Sequence, residues 1–249
     1  MKTPRILVIA GSDSSGGAGI QADIKTITML GGHAMTAITA ITAQNTLGVQ
    51  AVEVLPPAII IAQARSCIDD IGVDAVKIGM LGSPAIAEAV ADLLNDVDAP
   101  VVFDPVMVTT SGSVLADQAT VAAFERLMAL ATLTTPNVPE LDALGGAGAL
   151  AARGIAFLAK GGDAPDDPVT DTLHRPGHEP LSWQSPRIET RHTHGTGCTL
   201  ASAIAAGLGA GLGLVAAIEQ ARAFTRAAML AAPGLGRGSG PLGQQAVRG

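Results

Sequence analysis

The chain reads as an α/β fold in three layers: a mostly parallel central sheet, helices on both faces and a small β-hairpin extension. Three observations predict this. Short β-branched runs alternate with segments of helical spacing from residue 74 to residue 160, the signature of crossover units. The opening run, residues 5–10, is apolar throughout, as a strand covered on both faces would be. Polar residues then recur at one level, at or just beyond strand ends: Asp13, Asp104, Asn137 and Lys160, with Gly79 at the same level. Folds of this class bind ligands there.

In chain order, residues 5–10 form a buried strand, and residues 11–19 a serine- and glycine-rich loop before a helix over 20–30. Gly17, Gly19 and Ala22 match a dinucleotide fingerprint only formally. Six residues separate the match from the strand, and no acidic residue follows at the required distance. Residues 36–43 and 49–55 make a hairpin-like pair, either a sheet extension or a lid. Pro56 and Pro57 open a helix to about residue 71. Strands follow at 74–78, 101–103, 132–135 and 155–159, and helices at 84–95 (capped by Ser83), 117–130 and 138–144. Residues 168–184 read as a second hairpin and 234–243 as a glycine-rich loop. The uncharged stretch 200–218 has the length of a membrane span, but glycines 207, 209, 211 and 213 divide it into two buried helices. With no linker or repeat, residues 1–249 are expected to form one domain.

The totals narrow the function. A net charge of −7 argues against non-specific nucleic-acid binding, and the scarcity of aromatics argues against base stacking or aromatic-rich partner contacts. Two unpatterned cysteines and no signal-peptide pattern point to the cytoplasm, with neither membrane nor nucleic acid as partner.

The most informative stretch is His194-Gly195-Thr196-Gly197-Cys198-Thr199. Glycines in a turn before a helix leave backbone N–H groups pointing at one spot, which suits phosphate or a developing negative charge. Cys198 stands in the first turn, where the helix dipole is expected to favour its thiolate. A plain tight turn with Cys198 as a small buried filler is the rival reading. A zinc site from His192, His194 and Cys198 would lack a fourth ligand. Elsewhere, Asp104 and Glu140 are suited to Mg²⁺, Asn137 and Glu140 sit one helical turn apart, and Lys160 can neutralise phosphate oxygens. Together these make the inventory of a phosphoryl-transfer enzyme.

At this point the chain resembles a family, the ribokinase-like hydroxymethylpyrimidine/phosphomethylpyrimidine kinases of thiamine biosynthesis. The matching stretches include residues 9–25, Thr42-Ala-Gln-Asn-Thr-Leu-Gly-Val49, Lys77-Ile-Gly-Met-Leu81 and Asp104-Pro-Val-Met-Val108. They continue through Ser111-Gly112, Asn137-Val-Pro-Glu140, Lys160-Gly-Gly162, Thr193-His-Gly-Thr-Gly-Cys-Thr199 and Gly236-Arg-Gly-Ser-Gly-Pro241. The resemblance implies a ribokinase-like sandwich, homodimers, and ATP-dependent phosphorylation of 4-amino-5-hydroxymethyl-2-methylpyrimidine and then of its monophosphate. By similarity Gln44 bonds the pyrimidine, with Gly11, Ala18, Asp23, Met80 and Val106 around it. Cys198 stands where most ribokinase-like kinases carry an aspartate base, and the N–H groups of Gly195, Thr196 and Gly197 are expected to hold the transition-state charge. Lys160, Asn137 and Thr193 fall to the nucleotide phosphates, Asp104 and Glu140 to Mg²⁺. A pyridoxal kinase of the same fold and a non-catalytic pyrimidine-binding relative are the rivals. The pattern departs at Asp163, where histidine is usual, at Arg237, where lysine is common, and at the short segment 145–153.

Overall fold

The computed structural model describes residues 2–107 and 115–247. Ser111 and Gly112, part of the resemblance, lie outside the described residues. The strands are β1 (Arg5–Asp13), β2 (His33–Asn45), β3 (Gly48–Val54), β4 (Ala75–Ile78), β5 (Val101–Phe103), β6 (Leu133–Thr134), β7 (Phe157–Ala159), β8 (Val169–His174) and β9 (Leu181–Ser185). The helices are α1 (Gly19–Met29), α2 (Pro57–Asp70), α3 (Pro84–Leu94), α4 (Gln118–Leu130), α5 (Val138–Ala143), α6 (Gly146–Ala152), α7 (Thr196–Gly209) and α8 (Leu214–Leu230).

All nine strands join one sheet in the order β3-β2-β1-β4-β5-β6-β7-β8-β9. The run from β2 to β7 is parallel, while β3 at one edge and β8 and β9 at the other are antiparallel. Strand β1 alternates strictly. Leu7 and Ile9 pack with α2, α3 and α4 side chains such as Ile60, Val90 and Phe124, and Ile6, Val8 and Ala10 with α1, α7 and α8 side chains such as Ile27, Ile204 and Ile218. Its unbroken apolar character therefore reflects two buried faces.

The cap expected at Ser83 is present, and two further helices prove to be capped by side chains. The Ser83 side chain accepts from the Ile86 N–H and Pro84 follows it, and Asp117 caps α4 through the Thr120 N–H. Asn137 and Glu140 form a reciprocal capping box on α5. The stretch 200–218 divides between α7 and α8, and among the described residues no helix is long and apolar enough to cross a membrane.

Two expectations need correction. The loop expected from residue 11 begins later, because β1 continues to Asp13 past an irregularity between Ala10 and Ser12 that absorbs Gly11. The expected hairpin strand is longer than its β-branched centre. The first part of β2 runs parallel to β1 inside the central sheet, and its end pairs antiparallel with β3, so one strand serves both sheet and extension.

Candidate active site

Two adjoining cavities open beyond the carboxyl ends of the parallel strands. The smaller, about 150 Å³, is lined by twelve of the expected residues: Gly11, Ala18, Gln44, Met80, Asp104, Val106, Asn137, Glu140, Lys160, Gly195, Gly197 and Cys198. The larger, about 730 Å³, shares Asn137, Glu140, Lys160 and Gly197 with it and adds Thr193, Thr196 and Asp163. The shared residues form the boundary between the two spaces.

Gly195 is the N-cap of α7, with φ 89° in the left-handed region that glycine tolerates. A Cβ there would run into the Gly17 carbonyl, so turn and glycine loop lie backbone to backbone. The expected set of cradle donors changes by one member, Cys198 replacing Thr196. The Thr196 N–H turns back to the Thr193 carbonyl at 3.2 Å, and the Thr196 hydroxyl donates to the same oxygen at 2.7 Å. The N–H groups of Gly195, Gly197 and Cys198 have no backbone acceptor among the described residues, and these are the donors available to an anion.

Beneath the cradle, the buried Asp104 accepts from Lys160 Nζ at 2.8 Å and from the Thr135 hydroxyl at 3.0 Å. Glu140 lies 3.9 Å from the same ammonium and accepts from the Asn137 N–H at 2.8 Å. Burial raises Asp104, but Lys160 and Lys77 outweigh it and hold this carboxyl below its usual range. Burial, with the Asp104 charge adding to it, lifts Glu140 to about 7 despite Lys160. Two carboxylates share one lysine, so two hard oxygen donors face the same space and a cation there would favour the ionised form of Glu140.

That donor set fits a magnesium ion. Among the described residues no group of three or more His, Cys, Asp or Glu side chains could hold a metal. Asp104 and Glu140 would thus supply the protein's share, with phosphate oxygens and water completing the shell.

Cys198 departs from expectation. Desolvation by burial pushes its thiol up to about 11, with Asp23 and Asp104 adding to the rise and Lys77 opposing it. The helix terminus does not make it a standing thiolate, because in a low-dielectric site the charged form loses its hydration. Asp23 is also displaced from its expected place beside the pyrimidine. Its carboxylate is fully buried, accepts from Lys77 Nζ at 2.9 and 3.0 Å and from the Ser202 hydroxyl at 2.6 Å, and does not line the cavity. Burial would lower Lys77, but Asp23 outweighs it and keeps this ammonium charged.

Three functional positions had no role assigned from sequence: Lys77, and the pair Asp13 and His194. The signal for Lys77 was a lysine inside the otherwise apolar strand β4. His194 Nε2 lies 2.8 Å from Asp13 Oδ2 across 181 residues, a pairing that no local pattern announces.

The phosphomethylpyrimidine kinase family model matches residues 13–243. A hydroxymethylpyrimidine/phosphomethylpyrimidine kinase of Streptomyces coelicolor is 46% identical over 96% of this chain and 93% of its own length. One from Rhizobium meliloti is 45% identical, with 95% of each chain covered. Among solved structures, a Bacillus subtilis pyridoxal kinase in an ADP complex superposes with a TM-score of 0.90 at 35% identity, covering 98% of both chains. A Clostridium difficile phosphomethylpyrimidine kinase superposes with a TM-score of 0.76 at 34% identity, covering 90% of this chain and 98% of its own.

Proposed function

From the premise that this chain belongs to the phosphomethylpyrimidine kinase family, we propose that it phosphorylates 4-amino-5-hydroxymethyl-2-methylpyrimidine and then its monophosphate, using ATP, in thiamine biosynthesis. It is a phosphotransferase of ribokinase-like fold. The observation that carries the substrate reading is that Gln44 and the anion cradle of α7 line one cavity, which adjoins a second and larger one across Asn137, Glu140, Lys160 and Gly197. The pyrimidine belongs in the small cavity and the nucleotide in the large one.

Each residue has a task in this reading. Gln44 orients the ring through a donor and an acceptor side by side. The free N–H groups of Gly195, Gly197 and Cys198 and the Lys160 ammonium hold the charge on the migrating phosphoryl group. Thr193 and Thr196 border the nucleotide side. A magnesium ion, when bound at Asp104 and Glu140, supplies electrostatic stabilisation of phosphate charge. Cys198 hydrogen-bonds the substrate hydroxyl, and its thiolate fraction accepts the hydroxyl proton.

The chain also fits a homodimer, supported by apolar side chains exposed on the hairpin and its neighbour α2: Ile41, Val52, Val54 and Ile59. Residues 1–249 form one kinase domain in this reading, since a single sheet runs through it. A cytoplasmic setting suits the unpatterned cysteines.

A pyridoxal kinase is the second reading, favoured by the close superposition on the Bacillus subtilis enzyme. An ADP-release assay with the hydroxymethylpyrimidine, its monophosphate and pyridoxal separates the two. The wild type should turn over both pyrimidines with higher kcat/KM than pyridoxal. Gln44→Ala should lose most of its kcat/KM on the pyrimidine and keep its KM for ATP. A pyridoxal preference in the wild type would transfer the assignment to the second reading.

A further inference from the structure

The small cavity contains a chain of polar side chains that leads from the glycine loop to the substrate-facing carboxamide. Asp13, at the end of β1, is buried and surrounded by donors. Its Oδ1 accepts from the Ser15 N–H and hydroxyl, both at 2.8 Å, and its Oδ2 from the N–H groups of Gly17 and Ala18 at 3.1 and 2.9 Å. Burial raises this carboxyl, but the bonds from His194, Ser15 and Ala18 overcome it and hold it at about 2. An ionised carboxylate only accepts, so the His194 Nε2 that faces it at 2.8 Å carries a proton.

The same Nε2 lies 3.3 Å from the amide end of Gln44. A protonated ring nitrogen cannot accept from an NH₂ group, so the Gln44 atom facing it is the carbonyl oxygen, which takes the longer arm of a three-centre bond from the one Nε2–H shared with Asp13. The carboxamide oxygen therefore faces His194 and its nitrogen faces Thr42, an assignment that hydrogen bonding has to decide. The other neighbour agrees. The Thr42 hydroxyl donates to the Ser12 carbonyl at 2.9 Å and is left to accept, at 3.2 Å, from the Gln44 N–H. Both ends of the carboxamide are then gripped, with one N–H and one lone pair left for a ligand. The imidazole itself lies on Gly17, where any Cβ would collide with the ring.

We propose that His194, held by Asp13, is a positioning residue that fixes which end of the Gln44 carboxamide meets the substrate. It thereby sets the preference for a ring carrying an amine beside a ring nitrogen. The inference rests on the pyrimidine reading above and deepens it. A freely flipping carboxamide would present donor and acceptor in either order and discriminate less.

The test is a ratio of dissociation constants, titrated by calorimetry without nucleotide, for the aminopyrimidine alcohol and its analogue lacking the 4-amino group. The wild type should favour the amine. His194→Leu should shrink that preference roughly tenfold, the order expected for losing one oriented hydrogen bond, with the KM for ATP within about twofold. His194→Gln keeps an N–H within reach of Asp13 and Gln44 and should restore most of the ratio. Should His194→Leu fail to fold, Thr42→Val removes the grip at the other end and must lower the same ratio. An unchanged ratio in the Leu or Val variant, or equal loss with both ligands, overturns the proposal while leaving the pyrimidine reading intact. A wild type that binds neither pyrimidine but phosphorylates pyridoxal overturns both.

Discussion

At the scale of single residues, two groups of the proposed site, Cys198 and Glu140, are both raised above their ordinary titration, chiefly by burial. Cys198 is mainly a thiol at neutral pH, because burial pushes it to about 11. If its thiolate accepts the substrate proton, kcat should rise with pH through the alkaline range, and Cys198→Ala should remove that limb and cost on the order of 10²-fold at the plateau. A flat profile shared by both proteins would reduce Cys198 to a packing side chain. Glu140 is raised to about 7 by burial and Asp104, so a proton competes with any cation there below neutrality. The Mg²⁺ concentration for half-maximal activity should therefore fall between pH 6 and pH 8. Glu140→Gln should abolish that dependence while changing pyrimidine affinity little. That Asp104, Lys160 and Cys198 would meet at one cavity was legible from their types and positions. The thiol's titration was not, because it depends on burial and on charges from α1, β4 and the end of β5.

Elements decide how well such groups are aimed. The strand ends could be read from the sequence because β-branched runs stop at polar or glycine residues, and the cap of α3 from Ser83, whereas the Asp117 cap of α4 and the Asn137–Glu140 box of α5 emerge only in the structure. The extension of β1 to Asp13 could not be read either, since Gly11 and Ser12 have loop composition, and only the pairing of Ser12 and Asp13 with Ile41 and Thr42 of β2 carries the strand past Gly11. Asp23 was misplaced for a related reason: its carboxylate faces Lys77 of β4 because α1 packs on the sheet beside α7. The turn into α7 gives a test at this scale. Gly195→Ala places a side chain at φ 89° and against the Gly17 carbonyl. It should cost about 1–3 kcal/mol in urea denaturation and lower kcat by about 10²-fold as the cradle donors shift. Wild-type kcat in a stably folded Gly195→Ala would remove the cradle from the mechanism.

For the whole molecule, the interior network of Asp23, Lys77 and Ser202 ties α1, β4 and α7 together directly beneath the cavity. Both charges are fully buried, so removing one leaves the other unpaired in a low dielectric. Asp23→Leu should destabilise the fold by about 3–5 kcal/mol. Asp23→Leu combined with Lys77→Met should recover much of that loss in the same chemical denaturation experiment. Equal instability of the single and double variants would show that shape, not charge pairing, is what Asp23 contributes.

The glycine-rich segment near residue 238 has a consequence in time. Gly238 donates to the Thr46 hydroxyl at 3.3 Å, across 192 residues, and so fastens the tip of the hairpin. The His194 N–H donates to the Gly240 carbonyl at 3.2 Å, and Gln244 donates to Thr199 at 3.0 Å, so the start of α7 is fastened from the same segment. A chain emerging from the ribosome delivers its strands well before these residues, and domains begin to organise from the N-terminal side. The scaffold is therefore available early, but both walls of the pocket stay unlatched until residues 238–244 emerge. A nascent chain stalled short of them should carry the sheet without these fastenings and show no turnover in the ADP-release assay.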